Sequence, residues 1–314
     1  MIPSIAHFIW FGAQFPWVNA LAIRSLASRG GFQRILLHHA DDLSGSPWWP
    51  ELLNLKNFTP LRLDPEATLL ATGPLGPNLV ALYRRLSQPA ARANMIRAAL
   101  LATHGGVYLD LDTVTLDALT PLREEAAVFC GEEHLALPGA VTRSRSPVVL
   151  AKAGIKLALR DVFRRAPQGH KAFRKVEHRY PTAVNNAVIG ARPGHPIILD
   201  LLQRMVTMDP DRQLVRYALG THLLQEVVAA RRDDPELKIH PPGVFYPLSP
   251  EISEHWFRMG DKPRLFEILR AETRVVHWYA SVRTRDLTPR IDPDYVRKHA
   301  HEQPFSALAL PFLG

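Results

Sequence analysis

Apolar residues divide the first part of the chain into short continuous runs and longer periodic stretches. Ile5 to Phe11 is almost uninterrupted in apolar residues, the pattern of a parallel strand covered on both faces. Pro16 to Ser28 has helical character and is closed by Gly30 and Gly31. Arg34 to His39 is a second strand, followed by the polar pair Asp41 and Asp42. Strand, helix and strand in this order predict an α/β fold built on a largely parallel sheet.

Ser44 to Leu86 mixes prolines, tryptophans and short segments and predicts no clear element. Ala90 to Thr103 is a helix whose apolar positions Met95, Ile96, Ala99, Leu100 and Ala102 fall mostly on one side. Gly105 and Gly106 end it, and Val107 to Leu111 follows as a strand that delivers Asp110 and Asp112. Ala126 to Cys130 is another strand, and Val275 to Trp278 a short late one. Val149 to Arg165, Ile197 to Val206, Leu219 to Arg231 and Pro263 to Ala271 are the remaining helices. No repeat or linker interrupts the pattern, so residues 1–314 are expected to form one domain. Its halves would be 1–135, holding the first strands and the aspartates, and 136–314, mainly helical with a late block returning to the site.

Composition narrows the setting. The single cysteine, Cys130, lies in an apolar run, which excludes a disulfide framework and predicts a buried thiol in a reducing, cytoplasmic compartment. Met1 to Ser4 lacks a basic leader, so no signal peptide is expected, and no apolar run reaches the ~20 residues of a membrane span. The formal charge of +8 admits nucleic acid, anionic lipid or a phosphorylated small ligand as partner.

The chemistry is concentrated in Gly105-Gly106-Val107-Tyr108-Leu109-Asp110-Leu111-Asp112. Residues two apart on a strand point the same way, so the two carboxylates are expected to project together. Such a pair at the end of an apolar strand is costly unless it is neutralised. A divalent cation, Mn²⁺ or Mg²⁺, shared with substrate phosphates would do so. One helix earlier, Asn94 and Arg97 are three apart and share a face that can lie beside the aspartates; Arg97 offers a fork of donors to a diphosphate.

Ala91-Arg92-Ala93-Asn94-Met95-Ile96-Arg97 followed by this block resembles the DXD sugar-binding region of a glycosyltransferase group. That group includes the catalytic domains of large glucosylating bacterial toxins, fungal initiating α-1,6-mannosyltransferases and animal α-1,4-galactosyltransferases. Ile2-Pro3-Ser4-Ile5-Ala6-His7-Phe8-Ile9-Trp10-Phe11-Gly12 is similar to the group's first strand. The resemblance implies a GT-A-like, Rossmann-type mixed sheet flanked by helices, with additional C-terminal helices. It implies a retaining, metal-dependent hexosyltransferase using a UDP- or GDP-sugar and a glycan, lipid-linked or protein acceptor, as in polysaccharide biosynthesis.

Carried over residue by residue, Trp10 would stack on the base, with His7, Gly12 and Tyr108 also on the donor side. Arg97 would contact the donor, Asp110 would bridge ribose and metal, and Asp112 would ligate the metal. The toxins carry an aspartate where this chain has Asn94, which implies a different donor sugar. Asn185 and Asn186, before Gly190 and Gly194-His195-Pro196, weakly resemble a second block and would reach donor hydroxyls. Val275 to Val282 resembles the late block, in which His277 would be the third metal ligand and Ser281 a donor contact; Val282 stands where a tryptophan is common. No carboxylate is placed to act as a nucleophile, so front-face departure is expected, with the acceptor attacking on the side the diphosphate leaves.

Two other readings compete. The apolar strand before Asp-x-Asp also opens the active site of haloacid-dehalogenase-like phosphatases, where Asp110 would be the nucleophile; the later paired acids are missing, since Gly260-Asp261-Lys262 follows no strand. Lys152, Lys156, Arg160 and Arg164, four apart on one helix, would suit peripheral contact with the inner membrane face or a nucleic-acid-binding module. Membrane contact is compatible with sugar transfer, and no nucleic-acid partner is expected.

Overall fold

The computed structural model describes residues 1–137, 144–260, 264–280, 282 and 284–313. The expected early elements form as β1 Ile5–Trp10, α1 Trp17–Arg29 and β2 Arg34–His39. The unassigned stretch builds α2 Trp49–Leu53, β3 Phe58–Arg62, α3 Pro65–Leu70 and α4 Gly76–Arg85. Its short elements begin at prolines or lie beside them, and β3 is largely exposed, which erases both the strand and the helix periodicity. The helix before the aspartates, α5, spans Pro89–His104.

Seven strands form one sheet in the order β3-β2-β1-β4-β7-β6-β8, where β4 is Gly106–Leu109, β6 Val128–His134, β7 Thr182–Ala191 and β8 Leu237–His240. The first four run parallel, while β7 lies antiparallel between β4 and β6. The 3-2-1-4 half is the Rossmann-type arrangement, so the expected mixed α/β class is what the chain builds. Met95, Ile96, Leu100, Ile198 and Leu202 are among the residues of one buried cluster. Phe8, Ile23, Leu26, Leu37 and Phe129 belong to a second, and Trp256, Trp278 and Phe305 to a third. Cys130 is buried, and burial pushes its thiol up to about 12, so it is inert as expected.

The strand expected over Val107 to Leu111 stops at Leu109. Asp110 leaves the sheet, Leu111 and Asp112 turn, and the chain re-enters a two-stranded ribbon made of β5, Thr113–Thr115, and β9, Val275–His277. The ribbon pairs Thr113 with His277. Elsewhere the helix expected over Leu219 to Arg231 is a π-helical stretch, Ala218–His222, running into Leu223–Ala229. That expected over Pro263 to Ala271 is a short helix, Leu265–Ile268, with Pro263 outside the described residues. Among the described residues no helix is long and apolar enough to cross a membrane.

Candidate active site

Two glycines aim the aspartates. Gly105 closes α5 at φ +63°, and a Cβ there would lie 2.6 Å from the Pro193 ring. Gly106 has φ +98°, and a Cβ there would come within 2.4 Å of the Ile5 carbonyl oxygen. The chain therefore doubles back from α5 into β4 with no room for a side chain. β7 answers with a slip in its pairing to β6: Cys130 faces Ile189, but Gly131 faces Asn185. Such bulges re-aim backbone beside active sites. The Ala187 carbonyl, passed over by β6, accepts from the Asp110 N–H at 2.8 Å, and the Asn186 carbonyl accepts from Arg97.

Asp110 is gripped from within. Its Oδ1 accepts from Arg97 Nη2 at 2.8 Å and from the Tyr108 hydroxyl at 2.7 Å, and the guanidinium lies 4.0 Å from the Tyr108 ring centre. Burial raises the Asp110 carboxyl above the usual carboxylate range, against the pull of Arg97. Burial disfavours the Arg97 charge as well, but Asp110 and Tyr108 more than offset it and raise the guanidinium.

Asp112 is held differently. Its Oδ1 meets His277 Nε2 at 3.0 Å, and its Oδ2 accepts from the Ala280 N–H at 2.9 Å. Burial pulls against the charge, yet His277 and the Ala280 N–H outweigh it and hold Asp112 below its usual range. Burial likewise acts to lower His277, and Asp112 prevails and raises it. Ligand atoms of Asp110, Asp112 and His277 all lie within 4.8 Å of one another. The carboxylates keep 28% and 17% side-chain exposure, so the cluster opens to solvent on one side.

The donor set is two hard oxygens and one imidazole nitrogen, which fits a divalent cation of Mn²⁺ or Mg²⁺ type. His277 Nδ1 is buried without a hydrogen-bond partner among the described residues, so the ring has a nitrogen to spare beyond its contact with Asp112. No other group of three His, Cys, Asp or Glu side chains able to hold a metal occurs among the described residues, and Asp261 lies outside them.

The other expected residues divide. Asn94 and Asn186 meet, Asn186 Nδ2 donating to Asn94 Oδ1 at 2.9 Å. Gly220 leaves them room, since a Cβ there would stand 2.5 Å from Asn94 Nδ2. Asn185 is buried and turns its Oδ1 to the Ala187 N–H. Trp10 ends β1 at the sheet edge where β4 delivers Asp110; its ring meets Phe15 edge-on at 5.3 Å, and its indole nitrogen is buried without a partner among the described residues. Gly12, at φ +116°, donates its N–H to Asp41 at 2.6 Å. Ser281 lies outside the described residues.

Two further residues are placed deep in the protein. His7 is completely buried, with Nδ1 against His38 and Nε2 against the Gly105 carbonyl, each at 3.0 Å. Burial drops it to about 4, so it is a neutral support beneath the glycine turn. Arg97 directs its guanidinium to Asp110, Tyr108 and Asn186 inside the protein, and so braces Asp110.

Glu133, which the sequence did not single out, is buried beside this cluster. It accepts from the Tyr279 hydroxyl at 2.6 Å and also bonds Asn185; burial raises its carboxyl despite those bonds. Tyr279 holds φ +60°, and its ring centre lies 4.1 Å from that of His277. A left-handed tyrosine is strained, and its position here is fixed by this neighbourhood. In the sequence nothing separates Glu133 from Glu132.

A carboxylate pair at the carboxyl edge of a Rossmann-type sheet, completed by a histidine, is a group that could hold a metal ion. Residues 54–129 match the family described as "Glycosyltransferase sugar-binding region containing DXD motif", so the resemblance read from the sequence holds and the chain carries a glycosyltransferase's DXD region. No curated protein matches the chain. Solved structures similar to it include PaToxG glycosyltransferase, at 15% identity and TM-score 0.43 over 74% of this chain and 70% of that one. Mouse xyloside xylosyltransferase 1, apo form, is 14% identical with TM-score 0.45, covering 87% and 96%. The galactosyltransferase LgtC in complex with donor and acceptor sugar analogues is 14% identical with TM-score 0.44, covering 87% and 86%.

Proposed function

We propose that this chain, acting as one domain, moves a hexose from a UDP- or GDP-sugar to a glycan, lipid-linked or protein acceptor, with retention of configuration. The observation that carries the proposal is the convergence of Asp110, Asp112 and His277, with the carboxylates partly exposed, beside a buried Arg97. A divalent cation held there would neutralise the donor diphosphate and stabilise it as a leaving group; the mixed oxygen and nitrogen set favours Mn²⁺ over Mg²⁺. Arg97 and Tyr108 hold Asp110 in place, and the Ala280 N–H fixes Asp112. Trp10 and Gly12, at the same sheet edge, offer a ring and an open backbone to the base.

In the transfer, the bond from the anomeric carbon to the diphosphate oxygen breaks with its electron pair on that oxygen. The acceptor hydroxyl forms the new bond from the same face, and its proton passes to the departing phosphate. Glu133, the carboxylate that could suggest a covalent route, is buried and bonded to Tyr279 and Asn185, which suits support rather than attack. A panel of nucleotide sugars with Mn²⁺, scored for released nucleoside diphosphate, tests the transfer, and proton NMR of the product tests retention. An α-linked donor giving a β-linked product would overturn retention; no release from any donor would overturn the transfer.

A further inference from the structure

The helix Pro147–Arg165, α7 in order of appearance after α6 (Thr120–Glu125), meets the body with a mixed face, in which Leu157 and Phe163 pack on the third buried cluster beside paired arginines. A surface helix normally faces the body with its apolar stripe and solvent with its charges. Here Arg160 pairs with Glu251 at 3.2 Å and Arg164 with Glu254 at 2.9 Å, both acids lying on the body of the protein. The helix's only acid, Asp161, joins the same arginines. Arg258 reaches across to the last carbonyls, accepting oxygens of Arg164, Arg165 and Ala166, and closes the C-terminus. The Tyr180 hydroxyl holds the Lys156 carbonyl at 2.9 Å, with the Lys156 ammonium near its ring. The expected basic stripe is therefore largely a clamp, and its arginines are not a free surface.

Opposite the clamp the helix offers apolar side chains to solvent. Val148, Ile155 and Val162 are 60%, 62% and 62% exposed, with Leu159 between the last two. At helical spacing these four lie on one face, and Ala151 and Ala158, also exposed, complete it. Ala153 is the only buried residue of the helix. Solvent alone gives no reason to expose an aliphatic ridge of this length.

The surroundings say what would cover it. Lys152 borders the ridge on one side and Arg165 on the other, both exposed, and no acid lies on that face. Between residues 144 and 179 the sequence has ten Lys or Arg against two Asp or Glu. An aliphatic ridge with cationic borders matches an anionic bilayer, where the ridge enters the acyl boundary and the cations meet phosphates. The segment departs from the end of β6 and returns to the start of β7, at the sheet edge that carries Glu133 and Asn185.

We infer that the ridge Val148–Ile155–Leu159–Val162, bordered by Lys152 and Arg165, docks the protein on an anionic membrane surface. The inference is independent of the sugar-transfer reading, because binding is measured without donor or metal. The test is co-sedimentation of the full chain with vesicles of phosphatidylcholine alone and of phosphatidylcholine with phosphatidylglycerol. The anionic vesicles should capture the protein and the neutral ones should not, with capture falling as salt is raised. Ile155→Asp combined with Val162→Asp should weaken capture at least ~10-fold. Lys152→Glu combined with Arg165→Glu should weaken it by a similar factor, at about 1 kcal/mol for each charge removed.

All four substitutions are at exposed positions, so an unchanged melting temperature confirms folding. No capture of the wild type, equal capture by neutral vesicles, or equal capture of the Asp variant would each overturn the inference. A wild-type dimer that the Asp variant dissociates, without vesicle binding, would overturn it in favour of a second copy of the chain.

Discussion

The two aspartates of the candidate site stand two residues apart and are built from opposite ends of the sequence. Asp110 takes its side-chain partners from Arg97 and Tyr108, 13 and 2 residues away. Asp112 takes His277 and the Ala280 N–H, 165 and 168 residues away. Their ionisation differs as well: burial raises Asp110, whereas His277 helps to lower Asp112. One carboxylate is a wall braced by its own neighbourhood. The other is the end of an ion pair that a cation can enter by displacing the histidine's proton.

The largest expected effect breaks the second arrangement. Asp112→Asn keeps the shape and removes a charged ligand, so turnover should fall at least ~10³-fold with the fold intact. EDTA should stop the wild type likewise. Near-wild-type release of nucleoside diphosphate by Asp112→Asn, with its circular dichroism unchanged, would sink the metal-site reading.

The same contrast decides what was legible in the sequence. The Asp110 side was visible because a helix, a glycine pair and a strand follow one another. Three-residue spacing on α5 was enough to bring Arg97 to the turn. The strand end was misjudged because Leu111 continues the apolar pattern while the backbone has already turned. His277 came only from resemblance to a late block, since one imidazole on a three-residue strand has no periodicity to mark it. Glu133 and the slip in β7 could not be read at all. Both depend on which carbonyls a neighbouring strand leaves unpaired, and the α/β pattern predicts strands, not their slips. The surroundings of His7 were not legible, because a histidine in a first strand looks the same whether it faces a ligand or a glycine carbonyl.

Next in size is the brace. Arg97→Met removes the positive partner of a partly buried carboxylate, and breaking a buried pair costs about 3–5 kcal/mol. Asp110 keeps an open side, so a loss of about 2–4 kcal/mol is expected in chemical denaturation. Asp110→Asn added to Arg97→Met should recover part of that loss, because the amide leaves no charge stranded. A double variant no more stable than the single one would show that Arg97 braces the turn through Asn186 and Tyr108 instead.

A smaller effect separates the two aspartates by pH, in protein without metal. The raised His277 contributes stability below its unfolded value, ~6.5, and loses it as pH rises through the higher folded value. The lowered Asp112 contributes above its unfolded value, ~3.9, and loses it as pH falls through the lower folded one. The pair is thus most stabilising between the carboxylate and imidazole ranges. Mn²⁺ should bind more tightly as pH rises through the His277 value, since the proton must leave first. His277→Asn should flatten both trends while leaving the Arg97 effect unchanged. A melting temperature in His277→Asn with the wild-type pH profile would assign the trends to other groups.

The smallest effect concerns the other side of the site. Trp10 ends β1 with its indole nitrogen buried and unpaired among the described residues and its ring against Phe15, so it is neither fully packed nor free. Gly12 follows at φ +116° with nothing within 4 Å of where a Cβ would be, which leaves backbone open to a flat ligand. If the base of a nucleoside diphosphate lies here, titration with UDP or GDP should quench wild-type tryptophan fluorescence more than that of Trp10→Phe. The phenyl ring preserves stacking, so affinity should fall only about 2- to 5-fold, in keeping with ~0.5–1 kcal/mol for an aromatic contact. If the diphosphate is held on the aspartate side, Asp112→Asn should weaken nucleotide binding in Mn²⁺ far more than Trp10→Phe does. Equal quenching in the two proteins would place the base away from β1 and leave Asp110 and Asp112 as the only nucleotide contacts supported at this edge.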